Sequence, residues 1–123
     1  MKFREITLES GTKLLLGKNA ENNEKLVKQF QGKENLILHT VASGSPFCVI
    51  ESPVKVSKRE LNIGGAICAG YSQDWRNNKS DVMVHVFIGK DVYKRKDMKP
   101  GTVGVKKKKM IKIKKRQIEK WKK

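Results

Sequence analysis

Asp81-Val82-Met83-Val84-His85-Val86-Phe87-Ile88 sets Val82, Val84, Val86 and Ile88 in strict alternation with Met83, His85 and Phe87. Period-two alternation is the signature of a strand, and here both sets are largely apolar. A strand with two apolar sides needs cover on both, so this one is expected near the middle of a sheet. Neighbouring segments supply the partners. Leu36-Ile37-Leu38-His39 and Phe47-Cys48-Val49-Ile50 read as two short buried strands, and Ser43-Gly44-Ser45-Pro46 between them is turn chemistry. Upstream, residues 3–8 and 13–16 read as two strands joined around Ser10-Gly11. Downstream, residues 103–105 and 110–113 read as late strands, with Ile111 and Ile113 inward and Lys112 and Lys114 outward.

Two helices separate these strands. Asn19 is placed to cap the first, its side chain accepting a backbone N–H that the first turn leaves free. Leu26, Val27 and Phe30 form its apolar stripe, and Gly32 stands where a C-terminal cap belongs. Ser57-Lys58-Arg59-Glu60 is a capping box that opens the second helix. Leu61, Ile67, Cys68 and Tyr71 give that helix an inner face. Gly64, Gly65 and Gly70 each cost it about 1 kcal/mol relative to alanine. Such a concentration of glycine is explained if the helix backbone must lie close to the sheet. Residues 115–123 read as a short basic helix with Ile118 and Trp121 on one side. The order of elements describes an α+β domain: a mixed, mainly antiparallel sheet packed with two main helices, followed by a short C-terminal basic helix.

The 123 residues suit a single domain. They carry 28 Lys and Arg against 12 Asp and Glu, a net charge of +16. The excess is concentrated at one end. Residues 1–89 hold 12 basic and 9 acidic side chains, whereas residues 90–123 hold 16 and 3. So much charge of one sign repels itself unless a polyanion neutralises it, which points to nucleic acid or to an anionic membrane surface.

Several other functions find no support in the residues. Gly11 to Lys18 has glycine and lysine ends like a phosphate-binding loop, but five residues intervene and Asn19 stands where Ser or Thr must reach magnesium. Cys48, Cys68, His39 and His85 are never within metal-ligand spacing of one another. No carboxylate pair suggests hydrolytic chemistry, so no catalytic residue, metal or cofactor is assigned. The two cysteines sit in apolar contexts and read as buried free thiols of a reducing compartment. No apolar run approaches the roughly 18 residues of a membrane span. The N-terminus lacks the apolar core of a signal peptide, and a cytoplasmic location is expected.

Four stretches together resemble the NFACT-R domain in order and spacing. They are Gly17-Lys18-Asn19-Ala20-Glu21-Asn22-Asn23-Glu24, then Leu38-His39, then Ser43-Gly44-Ser45-Pro46-Phe47-Cys48-Val49-Ile50, then Val92-Tyr93-Lys94-Arg95-Lys96 with Lys99-Pro100-Gly101. The small-residue helix around residues 66–72 fits the same pattern. The chain departs from it at Asn35-Leu36-Ile37-Leu38, where the family often has an acidic residue followed by Trp-Phe, and at Pro46, where it often has histidine. The resemblance divides the chain into an NFACT-R-like domain over residues 1–105 and a basic strand and helical extension over 106–123. It implies a freestanding RNA-binding module related to the ribosome-associated quality control factors, with ribosomal RNA or tRNA as partner and ribosomal proteins as further candidates.

The residues expected to touch RNA fall into two groups. Lys18, Asn19, His39, Ser43, Gly44 and Ser45 belong to the resembling motifs, and so do Lys94, Arg95, Lys96 and Lys99; Lys90 lies just before the last of them. Lys106, Lys107, Lys108, Lys109, Lys112 and Lys114 follow in the basic C-terminal stretch. Lysine and arginine contact phosphates, which position a protein without reading sequence. The few aromatics near the basic region argue for recognition by shape rather than by stacking many bases. Charge alone equally suits general nucleic-acid binding that includes DNA, or an adaptor docking on protein or anionic membrane through Ile118 and Trp121, though without stable insertion.

Overall fold

The computed structural model describes residues 2–52 and 55–121. The elements run β1 (Arg4–Thr7), β2 (Lys13–Leu16), α1 (Ala20–Phe30), β3 (Leu36–Thr40), β4 (Cys48–Glu51), α2 (Lys58–Gly70), α3 (Gln73–Asn78), β5 (Val82–Ile88), β6 (Val92–Tyr93), β7 (Gly104–Val105), β8 (Lys109–Ile113) and α4 (Lys115–Trp121). Six strands form one sheet in the order β1-β2-β4-β3-β5-β8, while β6 and β7 pair separately. Every pairing is antiparallel. The fold is α+β, as the pattern of elements predicts.

Alternation along β5 has the expected consequence. It pairs with β3 on one side and β8 on the other, so it lies inside the sheet. Val82, Val84 and Val86 join Leu14, Leu16, Leu38, Ile50 and Ile113 on the face covered by α2, α3 and α4. Phe87 joins Leu15, Ile37 and Val49 on the opposite face, beneath Leu26, Val27 and Phe30 of α1 and Val92 of the small hairpin. The second face is only partly roofed. Met83 and His85, on the same side as Phe87, stay half-buried.

The capping signals also hold. Asn19 accepts from the Asn22 N–H at 2.8 Å, and Ser57 accepts from the Glu60 N–H at 3.1 Å. The glycines of α2 let its backbone meet the sheet: a Cβ on Gly65 would lie 2.7 Å from Ile113 Cδ1, and one on Gly64 3.1 Å from Leu38 Cδ1. The buried part of α2 is a continuous run from Gly64 to Gly70, broader than a single stripe. The reason is that α4 packs on it as well as the sheet does. Leu61 and Tyr71, expected inside, are half-buried at its two ends.

One element differs from the sequence reading. Helix α3 was not anticipated; Ser72 caps it by accepting from the Trp75 N–H at 3.1 Å, and Trp75 is its buried anchor. Residues 106–121 include the expected late strand and short basic helix. β8 pairs with β5 from Val82↔Ile113 to Val86↔Lys109, and both Ile113 and Ile118 are fully buried. This basic stretch is held by the fold through residue 121. Burial of Ile118 against α2 also removes it from the apolar surface that membrane docking would need. Lys122 and Lys123, the end of the expected helix, lie outside the described residues.

Candidate nucleic-acid interface

The run Gly17 to Glu24 turns the chain from β2 into α1, and most of its side chains are engaged in that junction. Gly17 donates to the Phe47 carbonyl at 3.2 Å, and any Cβ on Gly17 would overlap the Asn23 amide. The same amide oxygen accepts from the Phe47 N–H at 3.0 Å, tying α1 to the start of β4. Asn22 accepts from the Lys18 N–H at 2.9 Å. Glu24 reaches the other way. Its carboxylate accepts from Lys94 Nζ at 2.6 Å and from the Gly101 N–H at 3.1 Å, contacts that hold it below the usual carboxylate range. Lys18 alone extends an unpaired charge outward from this run.

The β3–β4 loop forms a second wall. Gly44 has φ +92°, a left-handed value that favours glycine, and its carbonyl accepts from the Gln73 N–H at 2.8 Å. Ser45 Oγ accepts from the Thr40 N–H and donates to the Pro46 carbonyl, both at 3.1 Å. Asn19, Gly44 and Ser45 therefore shape the walls, while Ser43 remains an exposed hydroxyl at the edge.

His39 lies between these walls. Its Nδ1 is 2.7 Å from the Thr40 carbonyl, and its ring lies 4.5 Å from that of Phe47. Burial lowers its pKa against the raising effect of the Thr40 carbonyl, and neighbouring His85 lowers it further. The ring is consequently neutral at pH 7, with Nδ1–H donating to the Thr40 carbonyl, and the Ser45 backbone adds a smaller raising contact. His39 and His85 are direct partners across β3 and β5. Burial lowers His85 too, and the charge of Lys108 adds to the effect.

These pieces enclose one cleft of about 710 Å³. Gly17, Lys18, Asn19 and Ala20 line one side, the 43–47 loop another, and Pro100 to Val103 a third. His39, His85 and Phe87 form its floor, and Lys108, Arg4 and Arg76 stand around it. The Arg4 guanidinium lies 4.3 Å over the Tyr71 ring, and Arg76 donates to the Tyr71 carbonyl at 3.3 Å. All four resembling stretches thus meet around a single opening. Lys18, Asn19, His39, Ser43, Gly44, Ser45 and Lys108 are the expected residues brought together there. Arg4, Arg76 and Tyr71 were not anticipated, because strand order and the crossing of α3 bring them in. His85, not among the residues expected to touch RNA, also faces the cleft. Its parity with Phe87 was the available clue.

The remaining expected residues lie elsewhere. Lys94 is half of a brace: Nζ meets Glu24, the Lys99 carbonyl and the Thr102 carbonyl, each at 2.6 Å. All three of its N–H groups point to partners within the protein, and they hold the 99–102 loop. Lys90 is ion-paired with Glu34, whose carboxylate raises its pKa. Arg95 lies 5.2 Å from the Tyr93 ring centroid. Lys96, Lys99, Lys106, Lys107, Lys109, Lys112 and Lys114 are exposed and form no ion pair among the described residues. Among the described residues there is no cluster of three metal-ligating side chains, and no helix is long and apolar enough to cross a membrane.

A family model described as the NFACT protein RNA binding domain matches residues 2–107. Among solved structures, the C-terminal part of the fibronectin/fibrinogen-binding protein from Streptococcus suis superposes with a TM-score of 0.83 at 22% identity. That alignment covers 98% of this chain and 49% of the other, so this chain spans about half of that structure's length. No curated protein matches the chain.

Proposed function

This chain belongs to the NFACT protein RNA binding domain family, and from that premise we propose that it docks on structured RNA of the ribosome or on tRNA, in translation or ribosome quality control. One observation carries the reading: the family's motif stretches converge on one cleft with cations around it, beside a larger set of exposed lysines without ion-pair partners. Each such lysine that meets a phosphate releases condensed counterions, so affinity must fall with salt. If about five phosphates are engaged on a duplex, log K falls with log salt at a slope of about −4.5. Non-catalytic docking in the cytoplasm accounts for these features without any reacting group.

The test is crosslinking in cells followed by sequencing of bound nucleic acid, alongside sedimentation with ribosomes at moderate salt. Enrichment of ribosomal RNA or tRNA is the expected result. Recovery of no RNA above a non-basic control refutes the proposal, and preferential recovery of DNA replaces it with general nucleic-acid binding.

A further inference from the structure

Resting on the RNA-binding reading, we propose that the cleft receives one unpaired nucleotide of the bound RNA, its base lying against the His39–His85 floor. The cleft's volume of about 710 Å³ falls in the range of small-ligand pockets, which suits one nucleotide with its sugar. A paired base remains stacked inside its helix and cannot enter. The floor is already built of ring contacts: His39 is tilted by 38° on Phe47 at 4.5 Å, and Phe47 is edge-on to Phe87 at 6.4 Å. A base placed over it continues that order, and any base has a π-face to offer.

The polar chemistry is equally suited. The Thr40 carbonyl orients the His39 ring, and with His85 and the Ser43 hydroxyl it brings hydrogen-bonding groups to the cleft for a 2′-hydroxyl or a base edge. Lys18 follows β2 and Lys108 precedes β8, strands at well-separated places in the sheet order, yet both line the cleft. Cations flanking the floor are placed to take the phosphates before and after an inserted nucleotide. Distant lysines supply docking by shape, and this cleft adds a requirement for an unpaired position.

The experiment compares binding of the full chain to an RNA stem with one single-nucleotide bulge and to the same stem fully paired, by fluorescence anisotropy. The bulged RNA is expected to bind about tenfold tighter, on the scale of stacking one base. In the double variant His39→Ala, His85→Ala that ratio falls to one. A 5-iodouridine at the bulge provides a readout in the unaltered protein, with photocrosslinks expected on peptides containing His39, Phe47 or His85. Equal binding of both RNAs, or crosslinks confined to other surfaces, overturns the proposal and leaves RNA docking intact. Failure to bind either RNA instead refutes the functional reading on which it rests. Competition by free adenosine monophosphate at micromolar concentration would assign the cleft to a mononucleotide and overturn a strand-bound role.

Discussion

Replacing Asn23 by alanine tests whether the cleft wall is built as described. Asn23 is 9% exposed and Phe47 is 5% exposed, and the amide oxygen of the first accepts from the backbone N–H of the second at 3.0 Å. Removing that acceptor strands a buried donor, which costs about 1–3 kcal/mol. For a domain of this size, 2 kcal/mol corresponds to a fall in Tm of roughly 6–10 °C. Thermal unfolding followed by circular dichroism measures it, and Asn23→Asp, which keeps an acceptor oxygen, should lose less. Gly17→Ala supplies the second half of the test. Its methyl would overlap the Asn23 amide, so alone it should destabilise by about 1–3 kcal/mol through overpacking. In the Asn23→Ala background the overlap with the amide is gone and the 2.8 Å approach to the backbone Cα of residue 23 remains, so the double variant should lose less than the two single losses added. An Asn23→Ala protein within about 0.5 kcal/mol of the parent, or strict additivity, would refute this account of the junction.

Other outcomes follow from particular contacts. Lys94→Met should lower the midpoint of denaturant unfolding while leaving the salt slope of RNA binding unchanged, whereas Lys108→Met should reduce that slope by about one. Ile118→Ala should cost about 2–5 kcal/mol in chemical denaturation, because its side chain is fully buried in the main core. Stability should fall as pH drops below about 6.5. His39 and His85 bind protons less readily when folded than unfolded, so protonation there favours the unfolded chain; urea midpoints at pH 8 and pH 5.5 give the comparison. Cys48 and Cys68 are buried free thiols, with burial pushing Cys68 up to about 12, so neither should react with an aromatic disulfide reagent before global unfolding.

Local chemistry made much of the fold legible. The alternation in β5, the caps at Asn19 and Ser57, and the glycines of α2 each record a constraint within a few residues of themselves. Helix α3 escaped because its six residues include two asparagines and an aspartate, poor helix formers, and tertiary burial of Trp75 adds to the Ser72 cap in stabilising them. The site was legible in its motif residues and hidden in its partners. Nothing near Lys94 in sequence announces Glu24, 70 positions away, and nothing near His39 announces His85. Net charge could not distinguish an ammonium already held by carbonyls from one available to phosphate. The burial of Ile118 was equally hidden, since a short amphipathic helix looks the same whether it faces a membrane or another helix.

The position of β8 has a consequence for how this protein behaves in concentrated solution. It is an edge strand, with one row of backbone donors and acceptors open to pairing by another chain, and Met110 on it is 56% exposed. Such an edge invites sheet-to-sheet association unless charge discourages it. Lys109 and Lys112 on the strand, with Lys106, Lys107 and Lys108 before it, make two approaching copies repel. These lysines thus act as gatekeepers of the sheet edge. Near charge neutralisation by RNA this protection is withdrawn, and turbidity should peak there and clear again when RNA is in excess.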